Sequence, residues 1–271
     1  PNTQAHKDCG EYLAKQLEKF GAKVYNQYAD LEAWDGTILK ARNIIGAYNP
    51  DSKKRIMLCA HWDSRPYADY DVDEKNHKKP IDGANDGASG VGVLLEIARQ
   101  IQKEAPTVGI DIIFFDAEDY GTPAWHRGIY KPHDWCLGSQ YWGRTPHVQG
   151  YYARYGILLD MVGGKGGTFY YEPYSYRTAR KEVKKIWEKA HELGYGSYFV
   201  KQEGSEVTDD HVYVNQLARI PCVDIINYDP VYENSSFGPT WHTVNDNITN
   251  IDRNTLKAVG QTVMDVIYNE K

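Results

Sequence analysis

The sequence predicts an α/β fold, a three-layer α/β/α sandwich in which a mixed, mainly parallel sheet lies between two layers of helices. Two observations predict it. Short apolar segments alternate with segments whose apolar residues recur every three or four positions, as expected for strands alternating with helices. The segment Ile112–Phe115 is apolar at every position, which is typical of a strand covered by helices on both faces.

Six strands and four helices are predicted along the chain. The strands are expected at Lys23–Tyr28, Ile38–Ala47, Arg55–His61, Ile110–Asp116, Gly156–Met161 and Ile220–Ile226. The helices are expected at Ala5–Phe20, at 91–101, at 179–190 and from near Asp252 to Ile267. The early strands have short connections, which antiparallel pairing allows. No repeat or long linker interrupts residues 1–271, so a single domain is expected.

Composition and charge are those of an ordinary globular chain and exclude several classes of function. Of the 271 residues, 41% are apolar, which is enough for a packed core. The net charge of −6 argues against a broad nucleic-acid-binding surface. No apolar stretch is long enough to predict a transmembrane helix. The four cysteines, at 9, 59, 136 and 222, fit no zinc-finger or redox spacing and leave disulfide pairing open.

Acidic residues and one histidine lie at or just beyond the ends of three of the predicted strands. They are His61 and Asp63 at the third strand, Asp116, Glu118 and Asp119 at the fourth, and Asp160 at the fifth. Because ligands bind at the carboxyl ends of strands in open α/β sheets, these side chains are expected to form one site. Clustered carboxylates repel one another unless a cation or a proton lies among them. Asp and His donors suit Zn²⁺, although Mn²⁺ or Co²⁺ would also accept them.

Asp86 lies among small residues in the segment Gly83–Gly90, directly before a predicted helix. One interpretation is that Asp86 caps the N-terminus of this helix, a role that Asp performs well. The other is that the small neighbours let the backbone approach the sheet closely and place Asp86 as a metal ligand. We favour the second interpretation because of these neighbours.

Glu118 and Asp119 form an adjacent pair in which one residue can bind a metal while the other faces the substrate as a general acid/base. The alternative is a solvated acidic turn. His242 is the candidate nitrogen ligand, although a lone His is more often structural than a ligand. His211 is interpreted as a supporting group that does not itself bind the metal.

Six motifs occur in a fixed order between about residues 55 and 250. They are Ala60-His61-Trp62-Asp63-Ser64, Gly83-Ala84-Asn85-Asp86-Gly87-Ala88-Ser89-Gly90, Phe114-Phe115-Asp116-Ala117-Glu118-Asp119, Leu159-Asp160-Met161, Asp209-Asp210-His211 and Trp241-His242-Thr243-Val244-Asn245-Asp246-Asn247. Together they resemble the zinc aminopeptidase superfamily and, within it, the animal-type branch of glutaminyl cyclases (glutaminyl-peptide cyclotransferases). Within that branch the sequence resembles the bacterial members more than the animal ones.

The resemblance implies a role for each candidate residue. It implies that Asp86, Asp119 and His242 bind one zinc, and that Glu118 is the general acid/base. Asp160 and Asp209 would be catalytic carboxyl groups beside the metal, and His61 would be the remnant of a second metal site. Trp241, Phe237 and Trp125 would line the substrate pocket. Two departures from the family pattern stand out. Asp119 occupies a position where the family usually has Glu, and the segment Tyr120–Pro132 is similar to an insertion.

The activity implied is the conversion of the N-terminal Gln of peptides or proteins into pyroglutamate with release of ammonia. The alternative is a di-zinc aminopeptidase, in which His61 and Asp160 bind a second metal and Asp86 bridges the two ions. Aminopeptidases of the superfamily usually have Ser at the position of Asp209, and this difference favours the cyclase. A third class, binding modules without catalysis, would be expected to lack Glu118 or His242.

The resemblance to bacterial cyclases also implies a location and leaves other properties open. Export to the periplasm, the cell envelope or the exterior is expected. The natural substrates and the oligomeric state stay open.

Overall fold

The computed structural model describes residues 1–271 and contains a six-stranded sheet, a separate two-stranded sheet and seven α-helices. In chain order the elements are α1 (Gln4–Lys19), β1 (Lys23–Glu32), β2 (Ile38–Tyr48), β3 (Arg55–His61), α2 (Ala88–Lys103), β4 (Gly109–Phe115), α3 (Leu137–Arg144), β5 (Gly156–Asp160), β6 (Phe169–Tyr171), α4 (Pro173–Thr178), α5 (Arg180–Glu192), β7 (Phe199–Glu203), α6 (Asp210–Tyr213), β8 (Cys222–Ile226) and α7 (Arg253–Tyr268). A π-helical turn at Val214–Ala218 continues α6.

The large sheet has the order β1-β2-β4-β3-β5-β8 and is mixed, as predicted. Strands β1 and β2 pair antiparallel, as do β2 and β4, whereas β4, β3, β5 and β8 run parallel to one another. The antiparallel start of the chain therefore agrees with the short connections there. The two small strands β6 and β7 form a parallel pair outside this sheet. They were not predicted because strands of so few residues carry little periodicity.

The predicted strand ends differ from the observed ones where the backbone turns sharply. Strands β4 and β5 each end one residue before the predicted limit, since Ala117 (φ +53°) and Met161 (φ +49°) adopt left-handed conformations just beyond them. Strand β8 begins after Pro221, which has no N–H to donate to a sheet. These turns matter for function because they lift the residues after each strand out of the sheet.

Both faces of the central strands are covered, as the uniform apolar segment predicts. Ile112 and Phe114 belong to the larger core, which α1, α2, α5 and α7 complete. Ile113 and Phe115 belong to a second core on the opposite face, together with Trp142 of α3. None of the helices combines the length and the hydrophobicity that crossing a bilayer requires.

Helix α2 packs against the sheet without room for a side chain at Gly90. A β-carbon there would lie 2.2 Å from the carbonyl oxygen of Leu159 and 3.0 Å from the β-carbon of Ala60. Gly92, two residues on, faces away and would meet no atom within 4 Å. The close approach at Gly90 brings the start of α2, and with it Asp86, to the carboxyl ends of β3 and β5.

Alanine substitutions at these two glycines are expected to have opposite effects on stability. Gly90→Ala should destabilise the fold by about 3 kcal/mol or more, because a backbone carbonyl cannot yield to the added methyl group. Gly92→Ala should stabilise it by about 0.5–1 kcal/mol, because alanine restricts the unfolded chain and favours a helix. Urea unfolding at equilibrium measures both. Equal effects of the two variants would contradict the packing described here.

Candidate active site

A cleft of 650 Å³ lies where β3, β4, β5 and β8 end, and it collects most of the predicted site residues. Its lining includes Asp86, Glu118, Asp119, Asp160, Asp209 and His242, together with the aromatic residues Trp135, Phe237 and Trp241. A larger groove of 1060 Å³ between α2 and α7 contains no histidine or cysteine. The chemistry predicted at the strand ends is therefore concentrated in the smaller cleft.

Asp86, Asp119 and His242 bring three potential metal donors together. Their donor atoms lie within 4.8 Å of one another, and all three side chains are buried. Nε2 of His242 is 3.2 Å from Asp119 Oδ1 and 3.6 Å from Asp86 Oδ2. Neither carboxylate oxygen of Asp119 has a hydrogen-bond partner. A buried carboxylate without partners is costly, so two carboxylates and an imidazole in this arrangement fit a bound Zn²⁺ ion.

The backbone around Asp119 is held by other buried groups. The carboxylate of Asp63 accepts hydrogen bonds from the backbone N–H groups of Glu118 (3.0 Å) and Asp119 (3.1 Å). The guanidinium of Arg65 donates to the carbonyl of Asp119 (2.9 Å). These contacts orient the turn so that the short side chain of Asp119 lies 3.2 Å from His242. Asp119 is 1% exposed, so the alternative interpretation of a solvated acidic turn is wrong.

Asp86 does not cap helix α2, so that alternative is also wrong. The capping position belongs to Gly87 (φ +90°), and no side chain caps the helix there. The carboxylate of Asp246 accepts the backbone N–H groups of Asn85 (2.7 Å) and Asp86 (3.0 Å). The side chain of Asp86 is thereby left to face His61 and His242.

A buried ion pair lies behind His242. Asp69 accepts two hydrogen bonds of 2.7 Å from the guanidinium of Arg65, and its Oδ1 lies 3.4 Å from Nδ1 of His242. Burial disfavours the charged form of Asp69, but the hydrogen bonds from Arg65 and the nearby imidazole of His242 outweigh it and hold the pKa of Asp69 below its ordinary value. Asp69 therefore faces His242 as a carboxylate, which orients the ring so that Nε2 points into the cleft.

His61 lies between Asp86 and Asp160. Its Nε2 is 3.0 Å from Asp86 Oδ1 and 3.3 Å from Asp160 Oδ1, and its Nδ1 is 3.1 Å from the carbonyl oxygen of Asp63. Burial alone would lower the pKa of His61, but contacts with Asp160, Asp63 and Asp86 raise it well above its ordinary value. The same three side chains, His61, Asp86 and Asp160, place donor atoms within 4.8 Å of one another.

Glu118 borders the cleft directly beside this donor set and is partly exposed to it. One of its oxygens accepts a hydrogen bond from the thiol of Cys136 (3.1 Å). Burial, followed by the charges of Asp209 and Asp119, raises the pKa of Glu118 well above its ordinary value, against an opposing effect of His61. A carboxyl group with raised proton affinity suits a general acid/base.

Asp209 and Asp160 form a second carboxyl pair in the cleft. Burial, and then the charge of Asp160, raises the pKa of Asp209 to about 7. Asp209 also accepts a hydrogen bond from the N–H of Asp210 at the start of α6. Behind it, Nε2 of His211 lies 3.1 Å from Glu172, so His211 faces away from the metal donors. This position agrees with the supporting role expected for His211.

Phe237 and Trp241 line the cleft, but Trp125 does not, and this corrects the sequence-based expectation. Trp125 packs edge-on against Tyr67 (5.0 Å) and away from the donors. The cleft instead contains Trp135, whose ring plane lies 11° from that of His242 at a centroid distance of 6.0 Å.

The path of the loop explains why Trp135, and not Trp125, lines the cleft. The carboxylate of Asp134 accepts the N–H of Thr122 (2.8 Å), and the N–H of Ala124 donates to Asp69 (2.8 Å). These contacts fold the loop back so that its far end, at Trp135, enters the cleft. A usable signal in the sequence is that Trp135 comes just before α3, outside the segment interpreted as an insertion.

Comparison with known families identifies the chain. A sequence model of peptidase family M28 matches residues 43–267, which is most of the chain. The chain belongs to peptidase family M28. The family resemblance predicted from the six motifs is thereby confirmed.

Two solved structures match this M28 chain along its whole length. The glutaminyl cyclase of Bacteroides thetaiotaomicron, bound to N-acetylhistamine, is 63% identical, with a TM-score of 0.98 and coverage of 100% of this chain and 92% of its own. A Zn-dependent exopeptidase from Parabacteroides distasonis is 59% identical, with the same TM-score and the same coverage. The fold predicted from the sequence is confirmed by both.

A curated relative is more distant. The glutaminyl-peptide cyclotransferase of Bos taurus is 28% identical over 251 residues, covering 79% of this chain. The chain spans only 62% of the length of that relative.

Glu172, which supports the rear of the site, is expected to make stability depend on acid pH. Burial would raise its pKa, but hydrogen bonds from His211 and from the N–H groups of Ser175 and Tyr174 hold it at about 2. A depressed folded-state pKa contributes stability that is present above the unfolded value, near 4.3, and is lost as pH falls toward 2. Unfolding free energy, measured by urea at pH 5 to 3, should fall less steeply in Glu172→Gln than in the wild type.

The matched control for this prediction is Glu188→Gln, at an exposed position of α5. The unfolding free energy of Glu188→Gln, plotted against pH, should run parallel to that of the wild type. At pH 7 only Glu172→Gln should have a lower unfolding free energy than the wild type. The full contribution of Glu172 is of order 3 kcal/mol. Parallel curves for all three proteins would rule out the role assigned to Glu172.

Proposed function

We propose that this chain is a zinc-dependent glutaminyl-peptide cyclotransferase that converts the N-terminal Gln of peptides and proteins into pyroglutamate and releases ammonia. The observation that carries the proposal is the match, along the whole of this chain, to a structure of a glutaminyl cyclase. In this chain a partly exposed Glu118 also lies beside three potential metal donors.

The residues that would hold the metal are Asp86, Asp119 and His242, as one zinc per chain. A zinc ion held there supplies Lewis acidity toward the γ-amide carbonyl of the substrate. Glu118 accepts a proton from the substrate's α-amino group as its nitrogen forms a bond with the carbonyl carbon of the γ-amide (Cδ). Glu118 then gives that proton to the amide nitrogen, whose bond to the same carbon breaks as ammonia leaves.

The carboxyl pair of Asp160 and Asp209 supports this chemistry by holding a proton inside the cleft. With the pKa of Asp209 raised to about 7, the pair carries one negative charge rather than two below that pH. A pair that shares a proton binds a second metal ion poorly. This arrangement favours a single zinc and therefore the cyclase.

The aromatic side chains supply orientation. Phe237 and Trp241 lie 4.8 Å apart between ring centroids, and Trp135 borders the same cleft. The substrate reacts with itself, so a pocket that holds the glutamine side chain folded toward its own amine removes much of the entropic barrier. We assign these three residues to that pocket.

The second candidate function is a di-zinc aminopeptidase. It is favoured by the close approach of His61, Asp86 and Asp160 and by the match to a structure named as a Zn-dependent exopeptidase. One observation weighs against it. Asp209 adds a further buried carboxyl group beside Asp160, and the charge of Asp160 contributes to its raised pKa of about 7.

Incubation of a peptide that begins with Gln is expected to lower its mass by one ammonia and leave its length unchanged. Mass spectrometry of the peptide measures this directly, and a coupled ammonia assay gives the rate. A matched peptide that begins with Leu should be unchanged. Release of free Leu or free Gln would refute the cyclase and support the peptidase.

Glu118→Gln is the variant that tests the proton shuttle within the same assay. It keeps the shape of the side chain but cannot accept a proton, so kcat should fall by about 10²–10⁴-fold. Zinc content should stay at the wild-type value, since Glu118 is not among the metal donors. Wild-type turnover by this variant would remove Glu118 from the proposed mechanism.

Metal analysis separates one zinc from two. The wild type should contain one zinc per chain, and His242→Ala should lose it because a donor is removed. His61→Gln should still contain one zinc, since His61 is not a ligand in the single-metal assignment. Two zinc ions in the wild type and one in His61→Gln would instead establish the di-zinc site.

A further inference from the structure

The thiol of Cys136 is the one group that the structure shows donating a hydrogen bond to the side chain of Glu118. Its Sγ lies 3.1 Å from Glu118 Oε1, and Cys136 is completely buried. We propose that Cys136 is a positioning residue of the reaction: its S–H holds one oxygen of Glu118 and leaves the other to exchange the proton with the substrate. This proposal rests on the proposed function of Glu118.

The backbone fixes the thiol in this position. The N–H of Cys136 donates to the carbonyl of Glu118 (2.9 Å), and the N–H of Leu137 donates to the carbonyl of Ala117 (3.0 Å). The start of α3 therefore runs alongside the turn that contains Glu118. Two independent contacts, one from the backbone and one from the side chain, join Cys136 to Glu118.

Two local features make this close approach possible. Cys136 adopts a left-handed conformation (φ +56°), which turns the chain into α3. At Gly138, a β-carbon would lie 2.1 Å from the carbonyl oxygen of Asp116, so only glycine lets α3 approach the end of β4 this closely. The left-handed residue is strained for any side chain other than glycine, and such strain is common where a side chain must be aimed.

A thiol has chemical properties that suit this task. It is a neutral, weak donor, so it restrains the carboxylate without neutralising it. A Lys or Arg at the same place would favour the charged form of Glu118 and lower its affinity for a proton. Burial, followed by the charge of Glu118, raises the pKa of Cys136 well above its ordinary value, and the sulfur therefore keeps its proton.

The other buried thiols make no such contact and provide the matched control. Cys59 is equally buried, but its Sγ donates to a backbone carbonyl, that of Ile157, in the core. Cys59→Ala removes the same atom from the same depth of burial. It should lower stability without changing the kinetics.

The test compares Cys136→Ala, Cys136→Ser and Cys59→Ala with the wild type in the glutaminyl-peptide assay. Cys136→Ala should lower kcat by about 10-fold, with KM within about twofold and zinc content unchanged, since only the orientation of the shuttle is lost. Cys136→Ser retains a donor and should recover most of kcat. A kcat of Cys136→Ala within twofold of the wild type, or no recovery with Ser, overturns the proposal.

A double-mutant cycle with Glu118→Gln tests whether Cys136 acts through Glu118. If it does, Cys136→Ala should have almost no further effect on kcat in the Glu118→Gln background. A full additional 10-fold loss would show that Cys136 acts through another group and would overturn the proposal. A merely structural role would also give additive losses.

The failure of this proposal can be distinguished from failure of the proposed function. If the wild type does not cyclise Gln peptides, the proposed function is refuted. The contact between Cys136 and Glu118 can still be tested by measurements that need no turnover. The infrared difference spectrum between wild type and Cys136→Ala isolates the S–H stretching band of Cys136. This band should lie at lower frequency than the S–H band of Cys59, and it should shift in Glu118→Ala. Crystal structures of Cys136→Ala should show Glu118 in a different or a mixed rotamer. An unshifted band or an unchanged rotamer counts against the role.

Discussion

Mutual repulsion among buried carboxylates is the constraint on which the rest of this site depends. Asp63, Asp86, Asp119, Asp160 and Asp209 all lie at one edge of the sheet, and each is at least 94% buried. Such a cluster is stable only if each charge is compensated or neutralised. The structure compensates them in different ways, and each way corresponds to a different part of the proposed chemistry.

The compensating groups differ in kind. Backbone N–H groups bind Asp63, the Arg65 guanidinium lies 3.6 Å from Asp119, and the imidazole of His61 lies between Asp86 and Asp160. Burial and the charge of Asp160 raise the pKa of Asp209 to about 7, which favours its neutral form, and neither oxygen of Asp119 has a hydrogen-bond partner. Glu118 has only a neutral thiol beside it. The carboxyl group that exchanges protons in the proposed mechanism is thus held by a neutral donor rather than by a cation.

The strand ends explain why much of this site could be predicted from the sequence. Parallel strands bring their carboxyl ends to one edge, so the residues after β3, β4 and β5 had to lie together once the apolar segments were interpreted as strands. Asp86 required one more inference, that small residues before α2 allow close packing, and Gly90 shows this packing. Periodicity and strand position were sufficient for these residues.

The residues that could not be predicted reach the site through loops. Arg65, Asp69, Trp135 and Cys136 lie in segments without periodicity, and their positions depend on contacts that only the folded loop makes. The exchange of Trp125 for Trp135 shows this directly, because both are tryptophans in one loop and the hydrogen bonds of Thr122 and Ala124 decide which enters the cleft. Short elements such as β6 and α6 escaped prediction for a related reason, since three or four residues are too few to repeat a strand or helix period.

The contacts of His242 and Asp86 have a consequence for how the protein acquires its metal. Asp69 orients one ligand and Asp246 anchors the backbone of another, and neither contact involves the ion. Contacts that need no ion therefore preorganise two of the three proposed ligands, and binding of zinc in the proposed enzyme would be an association step rather than a folding step. Gain and loss of the metal would then need no global unfolding, in contrast to small zinc domains whose structure exists only with the metal bound.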